Sequence, residues 1–365
     1  MRGLRFIRVD EKNASMWDRF VTNNESGHFM QSFCWGCFKQ QTGWEPVYLM
    51  AIEDDEVKGA SLLLSKSLPL VKKLIYYLPR GPVVDFHNNV TFLFLMNNIK
   101  KYVKDNDGIF LRTDPYLKDT IENNSLYEQI GFKKSDRKWS LWNCPRFVFW
   151  LNMGSGIEEL FKKLSTKIRN QIRYPHKRGV EFIKGDLSDI KEFYSLMVGT
   201  AFQKGIGLHD INYYKELYKT LSDASIAQLF LAKHEGKAIA TGISLAYGKR
   251  AWLLYLASSS EHFRLRPNRA LQWEMIKWAA EQGCEVYDFR GTAADDPPDP
   301  KDPGFGVYEF KKSFGPEYVR LVGYYDFVVN RPIYLLFIFA EYYLFPLVAK
   351  GLVELSKLKK AIRVF

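Results

Sequence analysis

Two adjacent lysines, Lys311 and Lys312, lie in an aromatic stretch bounded by glycines, G-F-G-V-Y-E-F-K-K-S-F-G, at residues 304–315. A lysine fixed in a closed site can bind an anion or stabilise the oxyanion that develops during acyl transfer. The aromatic content predicts a strand, with Lys311 on one face and Lys312 on the other face beside Phe310. The preceding run, A-A-D-D-P-P-D-P-K-D-P, predicts a flexible loop that delivers this strand to a site. The alternative, a charged edge strand after a turn, stays open.

A second group of cations lies on one segment, K-K-L-S-T-K-I-R-N-Q-I-R-Y-P-H-K-R, which contains no acidic residue. We predict one helix over residues 157–180, which Pro175 kinks or ends. Residues at a spacing of four form an apolar face of this helix, namely Leu160, Leu164, Ile168 and Ile172. Another face carries the cations Arg169, Arg173 and Lys177, which are also four residues apart, and Lys167 is a further candidate for anion binding on the same helix. A solvated face normally carries acids as well, so these cations predict a surface that binds RNA or another anion.

Two polar residues of the first half follow predicted strands. Arg80 lies in the turn of Y-L-P-R-G-P-V-V-D, where it either binds an anion or only fixes the turn. Asp114 ends the buried strand G-I-F-L-R-T-D, which is a position where α/β folds place site residues. It could equally begin a turn before Pro115. Both alternatives stay open for each residue.

The composition limits the classes of function. The chain has 365 residues, of which 47% are hydrophobic and 25% are charged, and this is typical of a globular protein with room for two domains. Its net charge of +11 favours an anionic partner. Four cysteines are too few for a disulfide scaffold, and the C-W-G-C pair lacks the second pair of a zinc site. No G-x-S-x-G nucleophile motif occurs. We therefore predict no metal and no cofactor.

The order of the predicted elements indicates how these residues are positioned. In the second half, strands at 228–235 and 238–247 form a hairpin, which a third strand, a helix at 266–283 and a strand at 286–291 follow. Residues 1–132 show much the same order. This order is typical of the acyltransferase fold called GNAT, so we predict an α/β (α+β) chain of two GNAT-like domains with a cleft between them. R-L-R-P-N-R-A replaces the glycine-rich loop that acetyl-CoA would require before the long helix.

Five segments together resemble the FemABX family: Y-L-P-R-G-P-V-V-D, K-I-R-N-Q-I-R, P-N-R-A-L-Q-W-E-M-I-K-W-A, Y-D-F-R-G and G-V-Y-E-F-K-K-S-F-G. The resemblance implies a first GNAT-like domain over residues 1–147, completed by about 320–331, and a second over 148–319. A tail follows over 332–365. No long helical hairpin is inserted in the second half, so we expect no coiled-coil arm.

Members of this family are aminoacyltransferases that move an amino acid from aminoacyl-tRNA to the stem-peptide amine of a peptidoglycan precursor. The acceptor is lipid II or its UDP-linked soluble form, and the product is the interpeptide bridge of the cell wall. The resemblance thus implies aminoacyl-tRNA as co-substrate, and we expect a monomer. Two alternatives stay open: acyl or aminoacyl transfer to a protein N-terminus or an envelope polysaccharide, and a non-catalytic module that binds RNA or a membrane.

The resemblance also implies substrate-binding residues. Lys39 matches a ligand of the precursor's phosphates, and Tyr213 and Tyr255 match residues of the substrate cleft. His209 stands where the family usually has an arginine that helps bind phosphate. A histidine is charged only part of the time near neutral pH, so the form of precursor that is recognised stays open.

The resemblance also implies catalytic roles for three residues. Lys311, with Phe310 beside it, matches the lysine that stabilises the reacting tRNA ester, and Asp114 matches a cleft residue. The ester is already activated, so the reaction needs alignment, a deprotonated amine and stabilisation of the oxyanion, which Lys311 would provide. Asp114 could orient the amine or accept its proton, or the neighbouring ribose hydroxyl could carry protons instead.

The C-terminal run from Pro332 to Ala349 contains one charged residue, Glu341, and basic residues flank it. Glu341 and Pro346 count against a membrane span of this length. Two interpretations stay open: an apolar helix on the inner face of the cytoplasmic membrane, and packing of the same stripe on the two domains. The first strand, M-R-G-L-R-F-I-R-V-D, lacks the apolar core of a signal peptide. We therefore expect a cytoplasmic protein, with peripheral membrane contact under the first interpretation.

Overall fold

The computed structural model describes residues 3–68, 71–135, 144–205 and 207–344, and the chain divides into two compact units. Unit 1 runs from the N-terminal residues to Val148 and also contains Tyr247–Lys249 and Val319–Phe337. Unit 2 contains Phe149–Ala246, Arg250–Tyr318 and the described residues from Ile338 onward. Each unit has its own hydrophobic core.

Strands and helices follow one another along both units. The strands are β1 (Arg5–Val9), β2 (Glu45–Glu53), β3 (Glu56–Ser67), β4 (Leu74–Leu78), β5 (Val83–Val84), β6 (Gly108–Thr113), β7 (Lys133–Ser135), β8 (Phe147–Asn152), β9 (Glu181–Gly185), β10 (Ala227–His234), β11 (Lys237–Tyr247), β12 (Arg250–Ser258), β13 (Val286–Gly291), β14 (Glu317–Arg320) and β15 (Tyr324–Val328). The α-helices are α1 (Ala14–Asn23), α2 (Phe33–Gln41), α3 (Asn89–Asp105), α4 (Ile121–Glu128), α5 (Ile157–Lys163), α6 (Thr166–His176), α7 (Ile190–Lys204), α8 (Ile211–Asp223), α9 (Pro267–Glu281), α10 (Phe305–Lys312) and α11 (Arg331–Phe339).

The strands form two mixed sheets. The first sheet follows the order β1-β2-β3-β4-β6-β15-β7, with β5 paired to β3, and the second follows the order β14-β8-β13-β12-β11-β10-β9. Each sheet contains a parallel pair, β4 with β6 and β12 with β13. A parallel pair needs a crossover connection, which α3 provides in the first sheet and α9 in the second.

The sequence of α9 explains why it forms this crossover. Pro267 occupies the first turn of the helix, where a backbone N–H would have no partner within the helix. Leu271, Met275 and Ile276 lie four or five residues apart and are completely buried. They belong to the core of unit 2, which holds the helix on the sheet.

The strand predicted over residues 304–315 is wrong, because Phe305–Lys312 forms a helix of eight residues, α10. Tyr308, Lys311 and Phe314 are buried at a spacing of three, which is close to the period of a helix and not the period of two of a strand. The predicted pairing of Lys312 with Phe310 on one face of a strand therefore does not occur. Aromatic content favours a strand, but the spacing of the buried side chains decides the local structure.

The single helix predicted over residues 157–180 is also wrong. Leu164 is extended, and the Ser165 hydroxyl accepts a hydrogen bond from the backbone N–H of Ile168, so Ser165 begins a second helix as its N-cap. Pro175 lies one residue before the end of α6, as predicted. The predicted apolar face is confirmed by four buried residues, Leu160, Leu164, Ile168 and Ile172.

The longest helices in the described part of unit 2, α7 and α9, have 15 residues each, which confirms the prediction that no coiled-coil arm is present. The apolar tail begins with α11 and continues as a turn of π-helix at Ala340–Leu344. The rest of the predicted tail, residues 345–365, lies outside the described residues. Among the helices that the structure describes, none has the length and apolar character needed to cross a membrane.

Candidate active site

Helix α10 holds Lys311 in the interior of unit 2. Lys311 is 8% exposed, and Tyr308 on the same helix face and Phe314, two residues after the helix, are almost completely buried. The Lys311 ammonium donates a hydrogen bond to the backbone carbonyl of Gly291, the last residue of β13. An ammonium group has three N–H donors, so this contact fixes Lys311 and still leaves donors for a substrate.

Burial lowers the pKa of Lys311 to about 8, because removal from water disfavours the charged form. The Asp288 carboxylate opposes this change, whereas the Arg290 guanidinium and the Lys204 ammonium lower the pKa further. At neutral pH Lys311 is therefore mainly a cation, and it loses its charge in the mildly alkaline range. A fixed cation of this kind can stabilise a developing oxyanion.

Lys312 has a different environment. It is more exposed, and its ammonium pairs with Asp296 in the proline-rich loop at 3.1 Å. The Tyr308 hydroxyl donates to the same carboxylate. Lys312 therefore holds the loop before α10, whereas Lys311 is the lysine of the candidate site.

Phe310 is half-buried next to Lys311 in the sequence. Its ring lies 5.4 Å from the Arg269 guanidinium and packs edge-on against Phe314. Arg269 also donates from Nε to the Ser313 hydroxyl at 3.4 Å. Phe310 thus connects α10 with α9, and it shapes the surroundings of Lys311 without a polar group of its own.

His209, Tyr213 and Tyr255 belong to one aromatic cluster of unit 2. The His209 ring stacks on Tyr213 with a centroid distance of 3.8 Å, and Tyr214 connects this pair to Tyr255 at 5.4 Å. Burial raises the pKa of Tyr213 to about 12 and raises the pKa of Tyr255 above its ordinary value. Both phenols keep their protons at neutral pH, so they can donate hydrogen bonds to a substrate.

Arg290 lies in the segment Y-D-F-R-G, but no site role was predicted for it from the sequence. Its guanidinium acts on Lys311 and also opposes the rise in pKa that burial causes at Tyr213 and Tyr255. It therefore lies near all three groups. The signal that identifies such a position is an arginine at the end of a buried strand, directly before the glycine of Y-D-F-R-G.

The four cations predicted to bind RNA lie on α6 and at its C-terminus: Lys167, Arg169, Arg173 and Lys177. Three are exposed and Arg169 is half-buried, donating to the Thr166 hydroxyl at 3.1 Å. In the part of the chain that the structure describes, none of the four pairs with a carboxylate. Helix α6 therefore presents positive charge without compensating acids, which suits a polyanion.

Arg80 and Asp114 form a buried pair in unit 1 and are 4% and 1% exposed. The Asp114 carboxylate accepts the backbone N–H of Arg80 at 2.9 Å and lies 3.5 Å from the Arg80 guanidinium. Arg80 has a φ of +57°, and its guanidinium donates to the carbonyl of Pro145 at 2.7 Å. These contacts fix the backbone of the turn, which supports the second alternative for Arg80. Asp114 is the partner that fixes this turn, and its carboxylate is buried.

Lys39 lies near the C-terminal end of α2, among three aromatic rings. Its ammonium is 5.7 Å from the ring centroids of Trp35 and Phe38 and 6.0 Å from that of Trp44. Aromatic faces attract a cation without neutralising it. Lys39 therefore keeps a positive charge that a phosphate could bind.

Tyr77 connects Asp114 to Cys144, and the Cys144 thiol influences the pKa of Lys39. Burial lowers the pKa of Lys39 to about 8, with the Cys144 thiol opposing this change and Lys66 adding to it. The Tyr77 hydroxyl lies 3.2 Å from the Cys144 sulfur and 3.0 Å from the Asp114 carboxylate. Unit 1 thus brings Arg80 and Asp114 into contact, and unit 2 brings His209, Tyr213 and Tyr255 into one aromatic cluster.

The described residues contain no group of three or more His, Cys, Asp and Glu side chains placed to hold a metal ion. The loop before α9 runs through Arg266, with a φ of +51°, into Pro267, which has no N–H for a pyrophosphate. That the protein uses no metal and no cofactor stays a prediction.

Solved structures share this fold. The crystal structure of FemX aligns with a TM-score of 0.83 at 24% identity, over 91% of this chain and 99% of that chain. A tandem GNAT protein from the clavulanic acid biosynthesis pathway aligns with a TM-score of 0.56 at 10% identity, over 89% and 98% of the two chains. The predicted α/β fold with two GNAT-like domains is therefore confirmed, and the chain has the fold of a tandem GNAT-like protein.

The model of the FemAB family matches residues 13–238 and 226–341. The chain belongs to the FemAB family. A lipid II:glycine glycyltransferase of Staphylococcus haemolyticus is 26% identical over 388 residues, which cover 87% of this chain and 92% of the relative. The predicted family is thus confirmed, and so is the predicted class of enzyme, an aminoacyltransferase.

Proposed function

We propose that this protein transfers an aminoacyl group from aminoacyl-tRNA to the stem-peptide amine of a peptidoglycan precursor and so builds the interpeptide bridge. The observation that carries this proposal is the buried cation Lys311, held at the Gly291 carbonyl in a chain of the FemAB family. The name of the staphylococcal relative gives lipid II as its acceptor and glycine as its amino acid. Lipid II and glycine are therefore the first pair to test.

The chemistry needs binding, alignment and charge stabilisation. The acceptor nitrogen attacks the ester carbonyl carbon, an amide bond forms, the ester C–O bond breaks, and the ribose oxygen leaves with the proton that the amine loses. Negative charge develops on the carbonyl oxygen in the tetrahedral intermediate. The Lys311 ammonium donates a hydrogen bond to this oxygen, and its burial strengthens the interaction.

The residues of unit 1 bind and position the acceptor. Lys39 binds a phosphate of the precursor, because the surrounding aromatic rings do not neutralise its charge. Arg80 and Asp114 are positioning residues, because their mutual contacts fix the turn. Tyr213, Tyr255 and His209 supply hydrogen-bond donors in unit 2.

The exposed cations of α6 bind the phosphate backbone of the RNA. The helix is held by its buried apolar face, so its cations keep a defined spacing. Contacts to phosphates provide affinity that does not depend on sequence, which suits recognition of a tRNA body.

The protein works at the inner face of the cytoplasmic membrane, with α11 and the π-helical turn as the contact. Six apolar side chains of this segment are between 49% and 70% exposed: Leu335, Leu336, Phe339, Tyr342, Tyr343 and Leu344. The opposite side holds the helix to unit 1, since Tyr334 and Phe337 pack on Phe110 with centroid distances of 5.4 and 5.0 Å. The exposure of these six side chains supports the membrane-surface interpretation of the tail.

The sequence that follows the π-helical turn also supports contact with the membrane. Residues 345–365 contain five cations, Lys350, Lys357, Lys359, Lys360 and Arg363, and one acid, Glu354. Apolar side chains next to basic residues are typical of a segment that binds a membrane with acidic lipids. A lipid-linked acceptor would be found at that surface.

The test of the reaction is transfer of radiolabelled amino acids from a pool of charged tRNAs, with lipid II and UDP-MurNAc-pentapeptide offered separately. We expect label to enter one precursor, and we expect Lys311→Met to lower turnover by about 100-fold or more. Lys312→Met is the matched control, because Lys312 is adjacent but pairs with Asp296.

The same assay can contradict the proposal. No label in either precursor, with charged tRNA still bound, would mean another acceptor or a non-catalytic protein. Equal losses of turnover and of precursor affinity in Lys311→Met would mean that Lys311 is only a binding group.

A further inference from the structure

The end of β13 holds an arginine in an unusual backbone conformation. Arg290 has a φ of +58°, in the left-handed region that a residue with a Cβ atom disfavours. Asp288 stabilises this conformation, because its Oδ1 accepts the Arg290 backbone N–H at 2.5 Å and its Oδ2 accepts the Trp150 indole N–H at 3.1 Å. Asp288 is 2% exposed. A strained residue that a buried carboxylate holds in place indicates a conformation with a function.

The contacts of the neighbouring residues place Arg290 beside Lys311. Gly291 follows Arg290 in the chain, and its carbonyl accepts the hydrogen bond from Lys311. Tyr213 on α8 and Tyr255 on β12 also experience the Arg290 charge. The end of β13 therefore holds the Lys311 ammonium one residue from Arg290, and Arg290 itself is half-buried.

Positive charge exceeds negative charge around this point. The charged groups that act on Lys311 in the described residues are Arg290, Lys204 and Asp288. With Lys311 itself, three cations face one carboxylate, and that carboxylate already accepts two N–H groups. A bound anion would offset the repulsion between the buried Lys311 ammonium and the half-buried Arg290.

We propose that Arg290 and Lys311 together form a two-cation site in which Arg290 binds the phosphodiester next to the aminoacyl ester of the RNA. This inference rests on the proposed function, which assigns Lys311 to the ester carbonyl. The phosphodiester of the terminal nucleotide is only a few bonds from that ester, and Arg290 is one residue from the carbonyl that holds Lys311. The guanidinium fork matches two phosphate oxygens, which the single ammonium of a lysine cannot do.

The test compares two stable ligands that differ only in this phosphodiester. Both are adenosine with glycine attached at the 3′ position through an amide, which does not react. One carries a methyl phosphodiester on its 5′ oxygen and the other carries a free hydroxyl there. Affinities are measured by calorimetry for the full chain and for the Arg290→Gln, Arg290→Lys and Lys219→Gln variants. Lys219 is an exposed cation on α8 and serves as the matched control.

We expect the wild-type protein and Lys219→Gln to bind the phosphodiester ligand about tenfold or more tightly than the other ligand. In Arg290→Gln this ratio should fall to about one, and in Arg290→Lys it should be intermediate. The ratio within one variant does not depend on the fraction of protein that is folded. An unchanged ratio in Arg290→Gln, or no preference in the wild type, would overturn the proposal.

A pH profile separates this role from a structural one. Because Arg290 lowers the pKa of Lys311, the alkaline loss of transfer in Arg290→Gln should move to higher pH. If neither ligand binds and no label is transferred, the proposed function itself fails. If transfer occurs but Arg290→Gln weakens only the binding of the precursor, the arginine serves the acceptor and this inference alone fails.

Discussion

At the scale of single residues, burial and pairing distinguish two lysines that are adjacent in the sequence. Lys312 is paired with a carboxylate, so most of its charge is already offset. Lys311 is buried, and it donates a hydrogen bond to the neutral carbonyl of Gly291. The charge of Lys311 is therefore held in a fixed position and is left for a substrate, which a charge count from the sequence cannot reveal.

Transfer should decline on the alkaline side of about pH 8. Burial lowers the pKa of Lys311 to about 8, so the ammonium that stabilises the oxyanion loses its proton above that pH. The acceptor amine becomes more reactive as pH rises, so it cannot cause the decline. The measurement is kcat against pH at saturating precursor, because the pKa of Lys39 is also lowered to about 8 and affects binding. The decline should be absent in Lys311→Arg, and its persistence in that variant would contradict the assignment.

Asp114→Asn should destabilise unit 1. The change removes the carboxylate charge beside the buried Arg80 guanidinium, which costs about 2 kcal/mol of the free energy of unfolding. Urea denaturation measures the loss, with Asp105→Asn as control, since Asp105 is exposed and pairs with Lys101 only at the surface. A 100-fold loss of turnover with unchanged stability would instead make Asp114 a catalytic residue.

At the scale of elements, helix α9 carried clearer sequence signals than helix α10. Helix α9 has a proline in its first turn and apolar residues at helical spacing over 15 residues, and it was predictable for those reasons. Helix α10 has eight residues, and its aromatic side chains suit a strand equally well. Only the packing of Tyr308 and Phe314 in the core decides between the two, and packing is not visible in a short sequence window.

Helix α6 should contribute to the affinity for tRNA. Replacing Arg173 and Lys177 with glutamine removes two exposed charges, so the slope of log K against log salt should become less steep by about two. The measurement is the affinity for charged tRNA at several salt concentrations, with Lys219→Gln as the single-charge control on α8. A slope that is unchanged in the double variant would place the RNA on another surface.

At the scale of the whole molecule, the order of strands and helices was enough to predict the fold. Each half of the sequence shows a hairpin, a long helix and a returning strand, and each sheet has the parallel pair that this order requires. The site was predictable only in part. Lys39, Tyr213 and Lys311 were predicted from matches to the family. Arg290 stands in the segment Y-D-F-R-G, but it enters the site because β13 ends beside α10. The closeness of β13 to α10 follows from the tertiary fold, and no periodic pattern in the sequence predicts it.

The apolar face of α11 should bind the protein to membranes with acidic lipids. Leu336 and Phe339 are 70% and 55% exposed and lie three residues apart on one face, so both can enter the lipid surface together. Replacing each with glutamate forfeits about 1.5–3 kcal/mol of apolar burial, which weakens binding at least tenfold. Sedimentation with vesicles of phosphatidylcholine and phosphatidylglycerol measures the partition. Ile121→Glu is the matched control, because Ile121 is 86% exposed on α4. Equal partition of the α11 variant and the control would mean that another surface, or the protein itself, covers this face.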